Sequence, residues 1–308
     1  LQKWKKLGKV YHCKPIDEYL QTHASNPLAI HLKDDIFRVF FSGRDRENKS
    51  SVGYVDIDIV KQIALDSCNQ VVVKYGNEDS FYSHGISIGN MYQVEDKNYI
   101  QFMAWQIRDG GHWRGDIGRL QLNDDYDTLT LNPKEVYIGC DDEDKVSLSY
   151  SWVMQDEGIY KMWYGSTIDW NSENGEMIHV IKYATSQNGE NWQKHGLAVP
   201  YEVGVAQAFS RPTVIKDNQG YHMWFSYRSG DGTKYRIGYA HSIDGITWDR
   251  KKDSGIDVSE SGWDSEMICY PFVFDHKGKR YMLYNGNDYG KTGFGLAVLE
   301  SMTIKESL

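Results

Sequence analysis

The sequence predicts an all-β chain: a five-bladed β-propeller of four-stranded antiparallel blades, its ring closed by the N-terminal strand in the last blade. Three observations predict it. One strand pattern recurs five times at steps of 56 to 65 residues, a Gly-turn-to-Trp signature marks a fourth strand, and no long segment carries helical periodicity. The recurring pattern occupies 51–55, 116–120, 180–184, 236–240 and 293–297, centred on Gly53, Gly118, Lys182, Gly238 and Gly295. A period of this length means an array of supersecondary units, which a pair of sandwiches does not explain.

Within each unit the elements follow in order. The first strand is short and apolar and comes after a turn, at 26–30, 84–88, 151–154, 211–215 and 270–274. Three of these open on a residue before proline: Asn26-Pro27, Arg211-Pro212 and Tyr270-Pro271. The second strand, at 39–41, 102–105, 162–164, 223–225 and 282–284, is rich in aromatic residues and methionine. Turn formers such as Asp217-Asn218-Gln219-Gly220 and Asp275-His276-Lys277-Gly278 join the two. The recurring pattern is the third strand. The fourth is marked by Ser186-Gln187-Asn188-Gly189-Glu190-Asn191-Trp192 and by Ser242-Ile243-Asp244-Gly245-Ile246-Thr247-Trp248, where a Gly turn leads into Trp as a hairpin requires. No such tail follows Ala297, yet Trp4-Lys5-Lys6-Leu7-Gly8 repeats the spacing of Trp192-Gln193-Lys194-His195-Gly196. The N-terminal segment therefore completes the fifth blade, and closure removes two exposed sheet edges. The expected blades are 23–70, 79–135, 147–196, 207–252 and 264–300 plus 1–12, in one domain of 308 residues.

Composition narrows the partners. With 43 acidic against 34 basic residues and a net charge of −9, the chain lacks the basic surface that nucleic acid or an anionic membrane requires. No stretch approaches the roughly 18 apolar residues of a membrane span. Cys13, Cys68, Cys140 and Cys269 are dispersed, with neither a CxxC pair nor the spacing of a disulfide framework. No metal and no cofactor is expected, and the sequence carries no P-loop, dinucleotide fingerprint or Gly-x-Ser-x-Gly elbow. Reduced thiols and the absence of a visible signal peptide point to the cytoplasm; a leader removed from the chain would make the protein periplasmic or secreted.

A radial array puts the leading ends of the inner strands, and the loops after the second strands, on one face around the axis. That geometry selects His23, Asn26, His84, Arg211 and Tyr270 from the strand starts, and Arg44, Arg228, Asn285 and Asn287 from the loops, as ligand-binding residues. On the same face Asp45, Asp264 and Glu266 are the carboxylates for acid/base work, with Asp45 as base and Glu266 or Asp264 as acid. The run Asp141-Asp142-Glu143-Asp144 reads as a solvated loop between blades.

The Ser-x-Asp-Gly-x-x-Trp motif at 242–248, the residue-Pro starts of inner strands and the five-unit count resemble the furanosidase-type propeller clan. That clan includes arabinanases, xylosidases, invertases and levansucrases, with mannoside phosphorylases as relatives. The segment 284–295 resembles that of uncharacterised propellers associated with bacterial surface-polysaccharide synthesis. The resemblance implies a glycoside hydrolase or transglycosylase acting on a mono- or oligosaccharide in the axial cleft through three acidic residues. The first of these stands directly before Pro in the first blade of the clan's glycosidases. Here that position is Asn26, and an amide serves neither as nucleophile nor as general base. Two alternatives follow. Arg44, Arg211, Arg228 and His84 suit an anionic sugar or sugar phosphate, as in the phosphorylase branch, which holds phosphate with Arg and His. A non-catalytic carbohydrate-binding propeller in polysaccharide assembly is the other. In each case Trp105, Trp113 and Trp170 are positioned to stack on sugar rings.

Overall fold

The computed structural model describes residues 2–108, 111–131, 136–230 and 234–302. Leu1 and the last four residues of the second expected blade, 132–135, lie outside the described residues. Strand β1 (Gln2–His12) is followed by a unit of β2 (Thr22–Lys33), β3 (Ile36–Arg44), β4 (Ser50–Asp58) and β5 (Ile63–Ser67). The second unit is β6 (Gly85–Val94), β7 (Lys97–Ile107), β8 (Trp113–Leu122) and β9 (Leu129–Leu131). The third is β10 (Ser147–Asp156), β11 (Ile159–Asp169), β12 (Ile178–Ser186) and β13 (Gln193–Leu197). The fourth is β14 (Ala208–Asp217), β15 (Gly220–Arg228), β16 (Arg236–Ser242) and β17 (Asp249–Lys251). Strands β18 (Cys269–His276), β19 (Lys279–Asn285) and β20 (Gly293–Met302) begin the fifth, with one helical turn, α1 (Asn287–Gly290), between the last two.

Every unit is an antiparallel meander, and β1 pairs with β20 from Gln2↔Met302 to His12↔Gly293. The N-terminal strand therefore is the fourth strand of the last blade, as the Trp spacing predicts. The inner strands touch in a cycle, β2 on β6, β6 on β10, β10 on β14, β14 on β18 and β18 on β2, which is the closed ring of a propeller.

The outer tryptophans tie neighbouring blades. Trp248, 3% exposed, meets the buried Trp163 edge-on at 5.9 Å, and Trp4 meets Trp224 edge-on at 5.8 Å. Trp192 donates to the Tyr137 hydroxyl of the blade before it at 2.8 Å. Each such ring removes apolar area worth about 1.5–3 kcal/mol when fully buried, so the blade contacts carry much of the cohesion.

All five inner strands break register at an equivalent place: Ser25/Leu28, Ile88/Met91, Leu148/Ser151, Ser210/Thr213 and Cys269/Phe272. In three blades the bulge holds the residue before proline, and Asn26, Arg211 and Tyr270 have φ of 56°, 50° and 54°. Left-handed backbone is costly for such residues, and a bulge re-aims the side chain it carries. The bulges turn these three positions toward the axis.

Candidate functional site

Arg211 is the floor of the axis. Its guanidinium donates to Pro27 O at 2.8 Å, Asn26 O at 3.0 Å, Tyr270 O and Pro271 O at 3.1 Å, and Ile88 O at 3.3 Å. One side chain of the fourth blade thus binds main-chain carbonyls of the first, second and fifth. It is 2% exposed, and burial without a carboxylate partner pushes its pKa down.

Above this floor lies a cavity of about 300 Å³ walled by all five blades. Arg44 and Asn48 come from the loop after β3, Trp105 from the end of β7, and Trp113 from the start of β8. Ser149, Tyr150 and His179 come from the third blade, Ser210, Arg228 and Tyr235 from the fourth, and Tyr270 and Tyr289 from the fifth. Burial pushes the hydroxyls of Tyr150, Tyr235 and Tyr270 up, so they stay protonated and able to donate at neutral pH.

Glycines make room for two polar contacts in the wall. The Trp105 indole donates to Ser50 Oγ at 2.9 Å, in space that a side chain at Gly85 would fill. His179 is 1% exposed, with Nε2 2.6 Å from Ser149 Oγ and Nδ1 2.7 Å from Thr167 Oγ1; a Cβ at Gly165 would strike Ser149 and the ring. Burial, then the nearby Arg228 cation, pushes the His179 pKa down to about 3, so the ring is neutral at physiological pH.

The charges are unevenly matched. Arg228 is balanced by Glu176: Nη2 donates to Oε1 at 3.0 Å, and Nε lies 3.0 Å from Oε2. Arg44 donates to Asn48 Oδ1 at 2.6 Å and faces the Trp105 ring at 5.9 Å, and among the described residues it has no carboxylate partner. Among the described residues no Asp or Glu lines the cavity.

The structure therefore redistributes the residues selected from the sequence. Arg44, Arg228 and Tyr270 stand on the cavity wall. Asn26 and Arg211 join Tyr270 at the axis, but Arg211 is a correction: its donors are occupied by carbonyls and none is left for an anion. Asn285 is fully buried, donating to Ala24 O and Gly293 O while accepting from Asn26 N, so its amide ties the first and fifth blades. Asn287 holds the backbone of Glu266, Met267 and Gly262. His84 packs against Trp105 at 5.8 Å and accepts from Ile107 N, outside the lining. His23 bonds Thr22 Oγ1 at 2.9 Å; burial, then the Arg44 and Lys291 cations, pushes its pKa down to about 4.

The three selected carboxylates are elsewhere. Asp45 accepts the amides of Glu47 and Lys49, capping its own loop. Glu266 is exposed and pairs with Lys234. Asp264 is buried against Lys6 of β1 at 2.8 Å and the Tyr284 hydroxyl at 3.0 Å. Asp144 repeats that arrangement in the third blade, bound by Tyr164, Lys182 and Lys194, so it is a buried anchor and not part of a solvated run. The spacing could have revealed this: Asp144 to Tyr164 and Asp264 to Tyr284 are both separated by 20 residues. Sequence reasoning also missed Tyr150, His179, Tyr235 and Tyr289. Trp113 is on the wall as expected, while Trp170 stands behind it, edge-on at 4.8 Å.

No protein-family model matches the sequence. Two relatives from Mycobacterium tuberculosis, the uncharacterized proteins MT1551 and Rv1502, are each 40% identical over 303 residues, covering 97% of this chain and 99% of theirs. Among solved structures, a protein named glycoside hydrolase superposes with a TM-score of 0.73 at 12% identity, over 99% of this chain and 94% of its own. The Bombyx mori GH32 beta-fructofuranosidase BmSUC1 gives 0.66 at 10% identity, over 90% of this chain and 61% of its own. Sucrose-6-phosphate hydrolase from Lactobacillus gasseri gives 0.65 at 10%, over 93% and 62%. At these identities the likeness is one of fold, and the fold is that of the propeller glycoside hydrolases.

Proposed function

We propose, for this chain and for the family of the uncharacterized Mycobacterium tuberculosis proteins MT1551 and Rv1502 to which it belongs, a carbohydrate-active function: a glycosyl unit is taken into the axial cavity. The observation that carries the reading is the composition of the wall. Trp105 and Trp113 offer aromatic faces to the C–H side of a sugar ring, while Tyr150, Tyr235, Ser149 and Ser210 offer hydroxyls to its rim. A volume of about 300 Å³ is at the lower end for ligand pockets and suits a monosaccharide-sized unit.

In its enzymatic form the proposal is glycosyl-bond chemistry, which the fold's neighbours name. Hydrolysis generally uses two carboxyl groups roughly 5 Å apart for retention and wider for inversion. Among the described residues the carboxylate bonded to a lining side chain is Glu176, through Arg228, and this gives it the acid/base role in the proposal. Among the described residues the wall itself holds no Asp or Glu, and this favours a second reading, saccharide binding without turnover.

Titration of the full chain with a panel of oligosaccharides, followed by tryptophan fluorescence and by chromatography for products, separates the two. Binding with product release, both weakened at least ten-fold by Trp113→Ala, supports the enzymatic form. Binding with no product after long incubation removes it and leaves the binding reading. No binding to any saccharide overturns both.

A further inference from the structure

Three arginines converge on the axis, and the structure gives them different work. The Arg211 guanidinium is saturated by carbonyls of three other blades, and the Arg228 charge is met by Glu176 at 3.0 Å. Arg44 alone of the three faces the cavity without a compensating carboxylate among the described residues.

Its acidic neighbours are turned away. The Asp45 carboxylate accepts two amides of its own loop and lies within reach of the Tyr75 hydroxyl, and Glu47 pairs with Lys49 at 3.0 Å. The neighbouring polar group is the Asn48 amide, whose oxygen accepts from Arg44 Nη1 and thereby fixes the guanidinium. Burial, and after it the Arg44 and Lys291 cations, holds the nearby His23 imidazole below its usual pKa, so these side chains supply no negative charge to Arg44. A cation held in a partly desolvated wall without a counter-ion favours an oxyanion, which a guanidinium binds through paired N–H donors.

We infer that Arg44 is an anion subsite of the axial cavity, so the saccharide taken there carries a carboxylate or phosphate group, or is accompanied by free phosphate. This rests on the reading of the cavity as a saccharide site. Arg44 would contact the oxyanion directly, Asn48 holding it in place, while Trp105 and Trp113 would flank the sugar ring.

The test is tryptophan-fluorescence titration of the full chain with D-glucuronate, D-glucose 6-phosphate and inorganic phosphate, with D-glucose as the neutral control. At least one anionic probe is expected to bind ten-fold or more tightly than glucose. Arg44→Gln should weaken it at least ten-fold and Arg44→Lys less, with near-UV circular dichroism unchanged. Tighter binding of glucuronate or glucose 6-phosphate assigns the anion to the sugar; tighter binding of inorganic phosphate assigns it to a free co-substrate. Glucose binding as well as the anions, no anionic probe binding at all, or an Arg44→Gln variant within two-fold of wild type would overturn the subsite. Trp113→Ala separates the layers. If it abolishes binding that Arg44→Gln leaves intact, the subsite fails and the cavity reading stands; if neither variant matters, both fail.

Discussion

Replacing Arg211 by methionine tests whether this side chain holds the ring together. The substitution keeps an unbranched apolar stem and removes a guanidinium that makes five hydrogen bonds of 2.8 to 3.3 Å to carbonyls of three other blades. A buried acceptor left without a partner costs about 1–3 kcal/mol, so five orphaned carbonyls set a large gross loss. Against it stands the recovered desolvation of the lone buried cation, several kcal/mol. Five orphaned acceptors at that cost come to about 5–15 kcal/mol gross, and after the recovered desolvation a net destabilisation of about 3–5 kcal/mol is expected. At this chain length, with about 2 °C per kcal/mol, that is a fall in Tm of roughly 6–10 °C. Arg211→Lys, which offers three donors on a compact ammonium in place of a planar fork, should fall between the two. Denaturant unfolding followed by tryptophan fluorescence measures the difference, and the floor of the cavity should loosen with it. A methionine variant within about 1 kcal/mol of wild type would refute the reasoning, because the carbonyls would then be satisfied without the cation.

Two further outcomes follow from the same structure. His179 is neutral and buried with a folded pKa of about 3 against an unfolded value near 6.5, so between these the unfolded chain binds the extra proton and stability rises with pH. Acidification from pH 7 to 5 should therefore cost about 2 kcal/mol from this ring, in a stability-versus-pH series that His179→Gln flattens. Asp264→Asn should lower stability by about 2 kcal/mol through the lost Lys6 pair yet leave saccharide affinity within two-fold; unchanged stability with lost turnover would restore Asp264 as an acid of the site.

The architecture was legible because its causes are local and repeated. Alternating apolar strands, Asp-x-x-Gly turns and Gly-to-Trp hairpins act within about ten residues, and five copies leave one arrangement that closes the ring. Even the borrowed fourth strand announced itself, since Trp4 and Trp192 stand in the same local frame. The positions turned to the axis were legible too, through the residues before Pro27, Pro212 and Pro271.

What each axial group does was decided only by tertiary structure. Along the chain Arg44, Arg211 and Arg228 all read as cations near the axis, Arg211 from a strand start and the other two from loops, and nothing in the sequence says what each one meets. One faces an open cavity, one meets carbonyls as far as 185 residues away, and one meets a carboxylate 52 residues away. Asp264 likewise finds Lys6 across 258 residues, a pairing that exists only once β1 has closed the last blade. Secondary structure follows from short-range sterics and patterning, which a sequence displays directly. The balance of a buried charge depends on which distant partner desolvation forces against it, and that is settled when the blades pack.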